Sequence, residues 1–380
     1  MSHETAERPP KPHSDSAFKQ QRLPSFYPQH TAAAVSIALL LTAVVFIPIG
    51  VVIVVESDNL FELDIRYDDV NHYKFPGLGH SSFSFNSTTM SAGTNCKKLL
   101  TLTKTIQGPV YMYYRLKGFH QNYRQYQESR DDAQLIGDTV DGSGDYCDPL
   151  SNPGQLAPGG SADGRPYGNF LYNPCGLIAW SLFNDTISLY KVSSSATPID
   201  TTDPTLPSNV NVVCVGDGFT AASVSTNAQN LCTKSGIAFA VDREDRFKAP
   251  KLNTWSWTNA GQPSSADPFL AGGFYAKEAG HKLPVSTDED LMVWARTSSM
   301  PDFLKLYRVI QTELPQGDYL VDIMERFDTV SFQGEKHLVL ATRSWIGAKN
   351  YVLGVALLVL GCLAFVSVLA IFILKCLEDR

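Results

Sequence analysis

The paired carboxylates of one short segment are the feature best suited to acid–base chemistry. The segment reads Ser129-Arg130-Asp131-Asp132, and neighbouring carboxylates beside an arginine can serve as general acid and general base. The same grouping can instead fix a loop through ion pairs. We favour the ion-pair interpretation, because the sequence contains no GxSxG elbow, no HExxH helix and no GxxxxGK[ST] phosphate loop.

Metal-binding patterns are weak. Asp141-Gly-Ser-Gly-Asp145 begins like a calcium loop, but Tyr146 replaces the glycine at position six and Asn152 replaces the terminal glutamate. We interpret it as a turn. The cysteines form no CxxC pair and the eight histidines are scattered, so a structural zinc site has little support. We expect no metal, no cofactor and no enzymatic activity.

Five tyrosines cluster in the same part of the sequence, and such rings can stack a sugar or a base. They are Tyr111, Tyr113, Tyr114, Tyr123 and Tyr126. Burial with the hydroxyl groups hydrogen-bonded is the commoner arrangement, and we expect it here.

Two long apolar runs predict membrane-spanning helices. Residues 31–55 and 351–374 contain 25 and 24 residues without a charged side chain, whereas about 20 apolar residues cross a bilayer. The first run is too long for the apolar core of a signal peptide, which has about 7 to 15 residues. Soluble helices of this length carry a polar stripe, which both runs lack.

Charges around the first span predict its orientation. Lys19 and Arg22 precede it, whereas Glu56 and Asp58 follow it closely, which indicates a cytosolic N-terminus. Two spans return the chain to the same side. The expected order is a cytosolic tail, a span, an exoplasmic or lumenal domain, a second span and a cytosolic tail, at residues 1–30, 31–55, 56–350, 351–374 and 375–380.

The charge balance restricts the partners. The two tails carry +1 and 0 of the net charge of −7, so the loop domain carries −8. This acidic balance argues against nucleic acid or anionic lipid headgroups as its main partner. We expect a multi-pass membrane protein of the secretory pathway, located in the endoplasmic reticulum, Golgi, endosome or plasma membrane.

Five of the seven cysteines fall in the predicted outer domain: Cys96, Cys147, Cys175, Cys214 and Cys232. An oxidising compartment favours pairing, and the closest-spaced couples are Cys147 with Cys175 and Cys214 with Cys232. Cys96 is left over.

Two sequons also fall in the predicted outer domain. They are Asn86-Ser-Thr and Asn184-Asp-Thr, and neither contains proline. We expect N-glycosylation at Asn86, at Asn184 or at both.

The loop domain reads as β-rich. Turn-forming residues separate β-branched or aromatic runs that predict strands at residues 110–116, 186–192, 318–323 and 337–342. Residues 122–130, 288–295 and 301–310 predict short helices, the last because Pro301 opens it. The expected fold is an integral membrane protein with two transmembrane helices and a β-rich exoplasmic domain, an antiparallel sheet with short helices.

Three residues of the spans bear on helix packing. Pro48 removes a backbone donor and should kink the first span, and the freed carbonyl then needs a partner. Gly354 and Gly361 are seven residues apart in the second span and permit close helix approach. These features suggest packing against a larger membrane partner.

A series of motifs runs through most of the chain. It includes Ala17-Phe-Lys-Gln-Gln-Arg-Leu-Pro24, Gly108-Pro-Val-Tyr-Met-Tyr-Tyr114 and Ser344-Trp-Ile-Gly-Ala-Lys-Asn350. Further motifs lie at residues 46–50, 119–124, 129–132, 174–179, 183–186, 236–239, 294–297 and 304–308. In this order they resemble the ligand-effect-modulator family, also called cell-division-control-50 proteins.

The resemblance implies the β-subunit of a type IV P-type ATPase lipid flippase, in a 1:1 heterodimer. In such a complex the catalytic α-subunit hydrolyses ATP and moves phospholipid from the exoplasmic to the cytosolic leaflet. The β-subunit is needed for folding, exit from the endoplasmic reticulum and transport. Agreeing with this, the chain lacks the Asp-Lys-Thr-Gly-Thr phosphorylation motif of such pumps. The partners implied are the α-subunit and membrane lipids. The alternatives are a membrane-anchored ectoenzyme and an independent receptor or adhesion protein.

The resemblance also implies roles for particular residues. The pairing of Cys147 with Cys175 looks like the family disulfide, and Asn184 resembles a family glycosylation site. Cys96 resembles a disulfide cysteine whose usual upstream partner is missing, so another pairing stays open. Trp180 departs from the asparagine of many members. The expected pump contacts are Phe18, Lys19, Gln20, Gln21, Arg22, Leu23 and Pro24 in the cytosolic tail, with Pro48, Gly354 and Gly361 in the spans.

Overall fold

The fold is taken from a computed structural model. It describes residues 16–19, 21–23, 31–69, 94–138, 145–155, 159–162, 164–193, 199–203, 205–216, 231–258 and 283–378. The chain divides into one unit formed by residues 1–55 with 350–380 and a second unit formed by residues 56–349.

The helices and strands are named here in chain order. They are α1 (Ala32–Asn59), β1 (Glu62–Arg66), β2 (Thr94–Leu102), β3 (Val110–Lys117), α2 (Arg124–Glu128), α3 (Asp132–Leu135), β4 (Ser161–Ala162), β5 (Arg165–Pro166), β6 (Leu171–Tyr172), α4 (Leu177–Trp180), β7 (Thr186–Val192), β8 (Val210–Cys214), β9 (Cys232–Thr233), β10 (Ser256–Trp257), α5 (Glu289–Ala295), β11 (Phe303–Ile310), β12 (Gly317–Glu325), β13 (Glu335–Ala341) and α6 (Tyr351–Glu378).

Helices α1 and α6 are the two helices in the described ranges that are long and apolar enough to cross a membrane. Only 17% and 11% of their most apolar windows are buried by the rest of the protein. A core helix of a soluble protein would be mostly buried, so these helices fit a lipid environment. The described residues thus contain two candidate spans, a count that does not support the predicted multi-pass description.

The two helices pack against each other in antiparallel order through glycines. A Cβ atom added at Gly354 would lie 2.8 Å from Val54 Cγ2, and one added at Gly361 would lie 2.7 Å from Ile47 Cγ1. On α1, a Cβ atom added at Gly50 would likewise lie 2.8 Å from Leu358 Cγ. Small residues let two backbones approach in a membrane, where no hydrophobic effect drives helices together.

Two antiparallel sheets form the frame of the second unit. The first has the order β1-β13-β3-β11-β9, and the second has the order β2-β12-β7-β8. Strand β3 shows the period-two pattern behind this frame, because Val110, Met112, Tyr114 and Leu116 are buried and the residues between them are only partly buried. Inward side chains of both sheets share one hydrophobic core, the main core.

The sequence predicted the frame correctly at four of its strands. Strands β3, β7, β12 and β13 match the predicted segments to within two residues at each end. The predicted fold class is confirmed, with two candidate membrane helices on either side of a β-rich domain with short helices. Helices α2 and α5 also fall in predicted segments.

The predicted helix at residues 301–310 is wrong, because this segment forms β11 between β3 and β9. Phe303, Lys305 and Tyr307 are buried, whereas Leu304 is exposed, which is strand periodicity. Pairing with two neighbours outweighs the local helix signal of Pro301.

A smaller hydrophobic cluster, the satellite core, lies apart from the main core. Its members are Cys147, Tyr167, Phe170, Leu171, Tyr172, Cys175, Trp257 and Leu283. The ring of Trp257 meets those of Tyr167 and Phe170 edge-on at 5.5 Å and 5.1 Å. Its only strand pairing is the short parallel pair β6 and β10, so side chains rather than a sheet define it.

Candidate functional site

The two neighbouring carboxylates that could serve acid–base chemistry are engaged in a helix cap and in an ion pair. Asp131 is the N-cap of α3, and its Oδ1 accepts hydrogen bonds from the backbone N–H groups of Ala133 at 2.8 Å and Gln134 at 3.2 Å. Asp132 points outward and pairs with Arg130 at 2.9 Å. A capping carboxylate is already used by two donors, so this geometry favours the ion-pair and capping interpretation.

The neighbouring residues connect α3 to the satellite core. Buried Gln134 donates a hydrogen bond to the Tyr172 carbonyl at 3.1 Å and accepts one from the Cys175 N–H at 3.0 Å. Ser129 Oγ accepts a hydrogen bond from the Leu177 N–H at 2.9 Å. The segment that looked catalytic therefore ties the main core to the region of one disulfide.

Both predicted cysteine couples are joined in the structure. Cys147 and Cys175 have Cα atoms 5.6 Å apart, and Cys214 and Cys232 have Cα atoms 5.1 Å apart. The second disulfide links β8 with β9, which are edge strands of the two different sheets. Cys96 is free and buried, and its Sγ donates to the Tyr67 carbonyl at 3.1 Å.

A buried polar cluster joins the two sheets elsewhere. Lys336 Nζ of β13 lies 2.8 Å from Asp185 Oδ2 and 3.1 Å from Glu325 Oε2 of β12. It also donates to the Phe327 carbonyl at 2.7 Å. We call Tyr67, Asp185, Glu325 and Lys336 the inter-sheet cluster. All four are buried, so each charge depends on its partners.

Asp185 is the hub of the inter-sheet cluster. Its Oδ1 accepts hydrogen bonds from the backbone N–H groups of Arg326 at 2.5 Å and Phe327 at 2.7 Å, and its Oδ2 accepts one from the Tyr67 hydroxyl at 2.8 Å. Glu325 is less well supported, because Lys336 is the only polar partner found for its side chain among the described residues. Burial raises the pKa of Glu325 to about 7, although Lys336 partly offsets this.

Sequence reasoning missed the inter-sheet cluster. Its members are far apart in the chain, at positions 67, 185, 325 and 336. One signal was available, because Lys336 and Glu325 lie within strands whose inward positions are otherwise mostly apolar, where an unpaired charge would be costly. The sequence did not indicate that the two residues would meet.

Of the two predicted glycosylation sites, Asn184 lies within the described residues. Asn184 is half-buried, and its neighbour Asp185 is buried in the inter-sheet cluster. Thr186 completes the sequon, and its Oγ1 accepts a hydrogen bond from Arg326 at 2.9 Å. Asn86 lies outside the described residues. Modification at either asparagine stays a prediction.

The N-terminal segment predicted to contact a partner contains a tight turn. The Arg22 N–H donates to the Ala17 carbonyl at 2.8 Å, and Gln21 has a positive φ of 54°. Phe18 is 75% exposed, and Leu23 is exposed as well. Lys19 is also exposed, whereas Gln20 and Pro24 lie outside the described residues. The turn thus leaves two apolar side chains free of the rest of the described chain.

The predicted contacts in the spans differ in exposure. Gly354 and Gly361 are buried against α1 of the same chain, so α1 occupies this glycine face in the isolated chain. Pro48 lies on the exposed side of α1, which continues through it. The kink at Pro48 stays a prediction.

The tyrosine cluster does not form one stacking platform. Tyr114 stacks on Phe183 at 3.9 Å inside the main core, and the hydroxyl of buried Tyr126 lies 2.8 Å from Ser181 Oγ. Tyr111 and Tyr113 lie on the other face of β3, and Tyr123 is exposed. The described residues also contain no group of three or more potential metal ligands.

An ion network covers the outer face of the β1-β13-β3 edge. Arg115 pairs with Asp64 at 2.9 Å and with Asp302 at 2.8 Å. Glu335 pairs with Lys117 at 2.8 Å, and hydrogen bonds from Lys117 and His337 lower the pKa of Glu335 to about 2. The partly exposed charges make this face polar. Each such pair contributes little to stability by itself.

Comparison with known proteins gives one consistent result. The chain matches the model of the LEM3 (ligand-effect modulator 3) family / CDC50 family over residues 53–380. It is 32% identical to ALA-interacting subunit 3 of Arabidopsis thaliana over 370 residues, which cover 96% of this chain and 86% of that protein.

Animal relatives agree. Cell cycle control protein 50A of Mus musculus is 31% identical over 370 residues, which cover 92% of this chain and 85% of that protein. Cell cycle control protein 50B of Homo sapiens is 30% identical over 363 residues, which cover 93% of this chain and 90% of that protein. The similarity therefore includes both candidate spans and the domain between them.

Proposed function

The chain belongs to the LEM3/CDC50 family, and from this membership we propose that it is the non-catalytic β-subunit of a lipid flippase. Its partner is the catalytic α-subunit of a type IV P-type ATPase, in a 1:1 complex that moves phospholipid from the exoplasmic to the cytosolic leaflet. The observation that carries the proposal is similarity over 96% of the chain to a protein named as an interacting subunit.

The geometry supports a binding role over catalysis. The one pair of neighbouring carboxylates that suggested acid–base chemistry is engaged in capping and in a surface ion pair. The loop domain is cross-linked by two disulfides and by the inter-sheet cluster. A domain held this firmly loses little conformational entropy when it binds, which favours a stable accessory subunit.

The topology proposed with this function places residues 56–350 on the exoplasmic or lumenal side and both tails in the cytosol. Disulfides persist in oxidising compartments, and the described domain contains two. Lys19 and Arg22 precede α1, whereas acidic residues follow it. In this arrangement the turn at residues 17–22 presents Phe18 and Leu23 at the cytosolic face of the partner.

We further propose that the subunit is needed for its pump to fold, to leave the endoplasmic reticulum and to transport lipid. Because the glycines of α6 are used within the chain, the contact with the pump in the membrane falls on the outer faces of the helix pair. Pro48 lies on such a face.

Affinity capture from detergent extracts tests the proposal. The tagged chain should bring down a large P-type ATPase, identified by mass spectrometry, and deletion should reduce uptake of fluorescent phospholipid. Phe18→Ala with Leu23→Ala should weaken capture, whereas Lys375→Gln, at an exposed position of α6 outside the predicted contacts, serves as the control. Absence of any P-type ATPase from the captured proteins, together with unchanged lipid uptake, would refute the proposal.

The ectoenzyme alternative has its own variant. Asp131→Asn removes the charge but keeps an efficient N-cap, so the domain should stay folded. Capture of the pump should survive this change. Hydrolytic turnover by the purified chain that disappears in Asp131→Asn would favour the ectoenzyme.

A further inference from the structure

The turn between β13 and α6 displays an unusually exposed tryptophan. Trp345 is 80% exposed, the largest fraction among the large hydrophobic side chains described. The turn that carries it is closed by two hydrogen bonds, from the Ser344 N–H to the Gly347 carbonyl at 2.9 Å and from the Gly347 N–H to the Ser344 carbonyl at 3.0 Å. Trp345 is therefore held outward by a defined turn.

The other four tryptophans of the chain are less exposed. Trp257 and Trp294 are fully buried, and Trp255 is 36% exposed. Trp180 packs on the satellite core. Tryptophan is rarely left in water because its large apolar ring gains from burial, while its N–H prefers a polar partner. The exposure of Trp345 in the isolated chain therefore points to an external environment that is both apolar and wet.

Chain connectivity places this turn near the membrane. Trp345 precedes the first residue of α6 by six residues, which span at most about 22 Å even when fully extended. Thr342 and Phe61 exchange two hydrogen bonds at 3.0 Å and 2.9 Å, and Phe61 follows the end of α1 by two residues. The chain segments that lead to α1 and to α6 are therefore joined to each other next to this turn.

Arg343, two residues before Trp345, adds a positive charge in a fixed position. The guanidinium of Arg343 lies 4.4 Å from the centroid of the Tyr111 ring and 5.5 Å from that of the Tyr113 ring, and it also contacts the Tyr113 hydroxyl. Stacking on two rings orients the guanidinium without neutralising it. Tryptophan and tyrosine are enriched where the headgroups meet the hydrocarbon, and arginine binds phosphate groups.

We propose that Trp345, with Arg343 stacked on Tyr111 and Tyr113, forms an interfacial anchor that binds the headgroup layer of zwitterionic phospholipids in the outer leaflet. The indole enters the apolar edge of that layer and Arg343 binds lipid phosphate. A zwitterionic surface suits a domain of net charge −8, which an anionic surface would repel. The inference goes beyond the proposed function and rests on the topology proposed with it, in which α6 spans the bilayer and residues 56–350 lie on the exoplasmic side.

Depth-dependent fluorescence quenching tests the anchor on the full chain without a pump. The chain is placed in phosphatidylcholine nanodiscs that contain lipid with a nitroxide near the headgroup or deep in the acyl chain. The shallow label should quench tryptophan emission more than the deep label does. Trp345→Phe should remove at least half of the shallow quenching, whereas the matched control Trp255→Phe should keep it.

Two outcomes overturn the anchor. One is quenching of Trp345→Phe by the shallow label as strong as that of the unchanged chain. The other is loss of lipid quenching of Trp345 when the co-purified P-type ATPase is present, with iodide also excluded, because the turn would then bind protein. Retained emission from buried Trp257 and Trp294 checks that each variant is folded. A failed anchor leaves capture of the pump unaffected, so this test is separate from that of the proposed function.

Discussion

The main core and the satellite core of the loop domain are stabilised in different ways. The main core lies between two antiparallel sheets, and beside it one buried lysine pairs with two buried carboxylates. The satellite core has one short strand pair, a disulfide and aromatic rings packed edge-on.

The difference shows which buried side chains each kind of backbone arrangement can support. Strand register fixes where the side chains of facing strands point, so a buried ion cluster can have partners in defined positions. A small cluster of turns lacks this register, and it uses apolar contacts and a covalent bond instead. The two cores should therefore respond to different perturbations.

Removal of the central cation should have the largest effect on the main core. Lys336→Met leaves Asp185 and Glu325 buried without their ion-pair partner, and we expect a loss of about 3 to 5 kcal/mol in the free energy of unfolding. Urea denaturation of the purified protein measures it. Lys117→Met is the matched control, because its pair with Glu335 is partly exposed and is worth less than about 1 kcal/mol. Equal losses in both variants would contradict the buried cluster.

Loss of each disulfide should separate the two cores. Cysteine-to-serine double variants open loops of 28 residues for Cys147 with Cys175 and 18 residues for Cys214 with Cys232, and we expect each to lose about 3 kcal/mol. Hydrogen exchange should rise throughout the satellite core in the first variant and only at the edge strands β8 and β9 in the second. The same exchange pattern in both variants would argue that the cores unfold as one.

Glu325 should make the main core sensitive to pH. Its pKa is about 7 in the folded protein and 4.5 when unperturbed, so the folded state binds the proton more tightly. Its contribution to stability is full below about pH 4.5 and is lost as pH rises through 7, a change of about 3 kcal/mol.

Glu325→Gln tests this contribution. The variant should be more stable than the unchanged protein at pH 8 and should lose most of the slope between pH 5 and 7, measured by thermal melting across this range. Exchange in the satellite core should not share the slope. An unchanged slope would assign the pH dependence to other groups.

The cap of α3 should have the smallest effect, because this helix only connects the cores. Asp131→Ala removes two hydrogen bonds from backbone donors, which costs about 1 kcal/mol, whereas Asp131→Asn costs a few tenths. Thermal melting gives the stability, and exchange at Gln134 and Cys175 should rise in the alanine variant. A loss as large in Asp131→Asn would indicate that the charge, rather than the cap, matters.

Local patterns predicted much of the frame. The occurrence of β-branched or aromatic runs between turn-forming residues identified β3, β7, β12 and β13, because such residues pack well on a pleated surface. It failed at residues 301–310, where Pro301 imitates the start of a helix and the pairing partners lie far away in the chain. The carboxylates at residues 131 and 132 were rightly interpreted as structural, but their capping role needed the position of α3.

The sequence by itself determined the two candidate spans, the positions of four core strands and the family, since each depends on residue type, run length or motif order. Only the tertiary structure decided that Lys336 meets Asp185 and Glu325, that Gly354 and Gly361 face α1, and that Trp345 stands exposed on a closed turn. These contacts join residues distant in the chain or depend on what covers a side chain. Their energies come from burial and partners, which local sequence does not record.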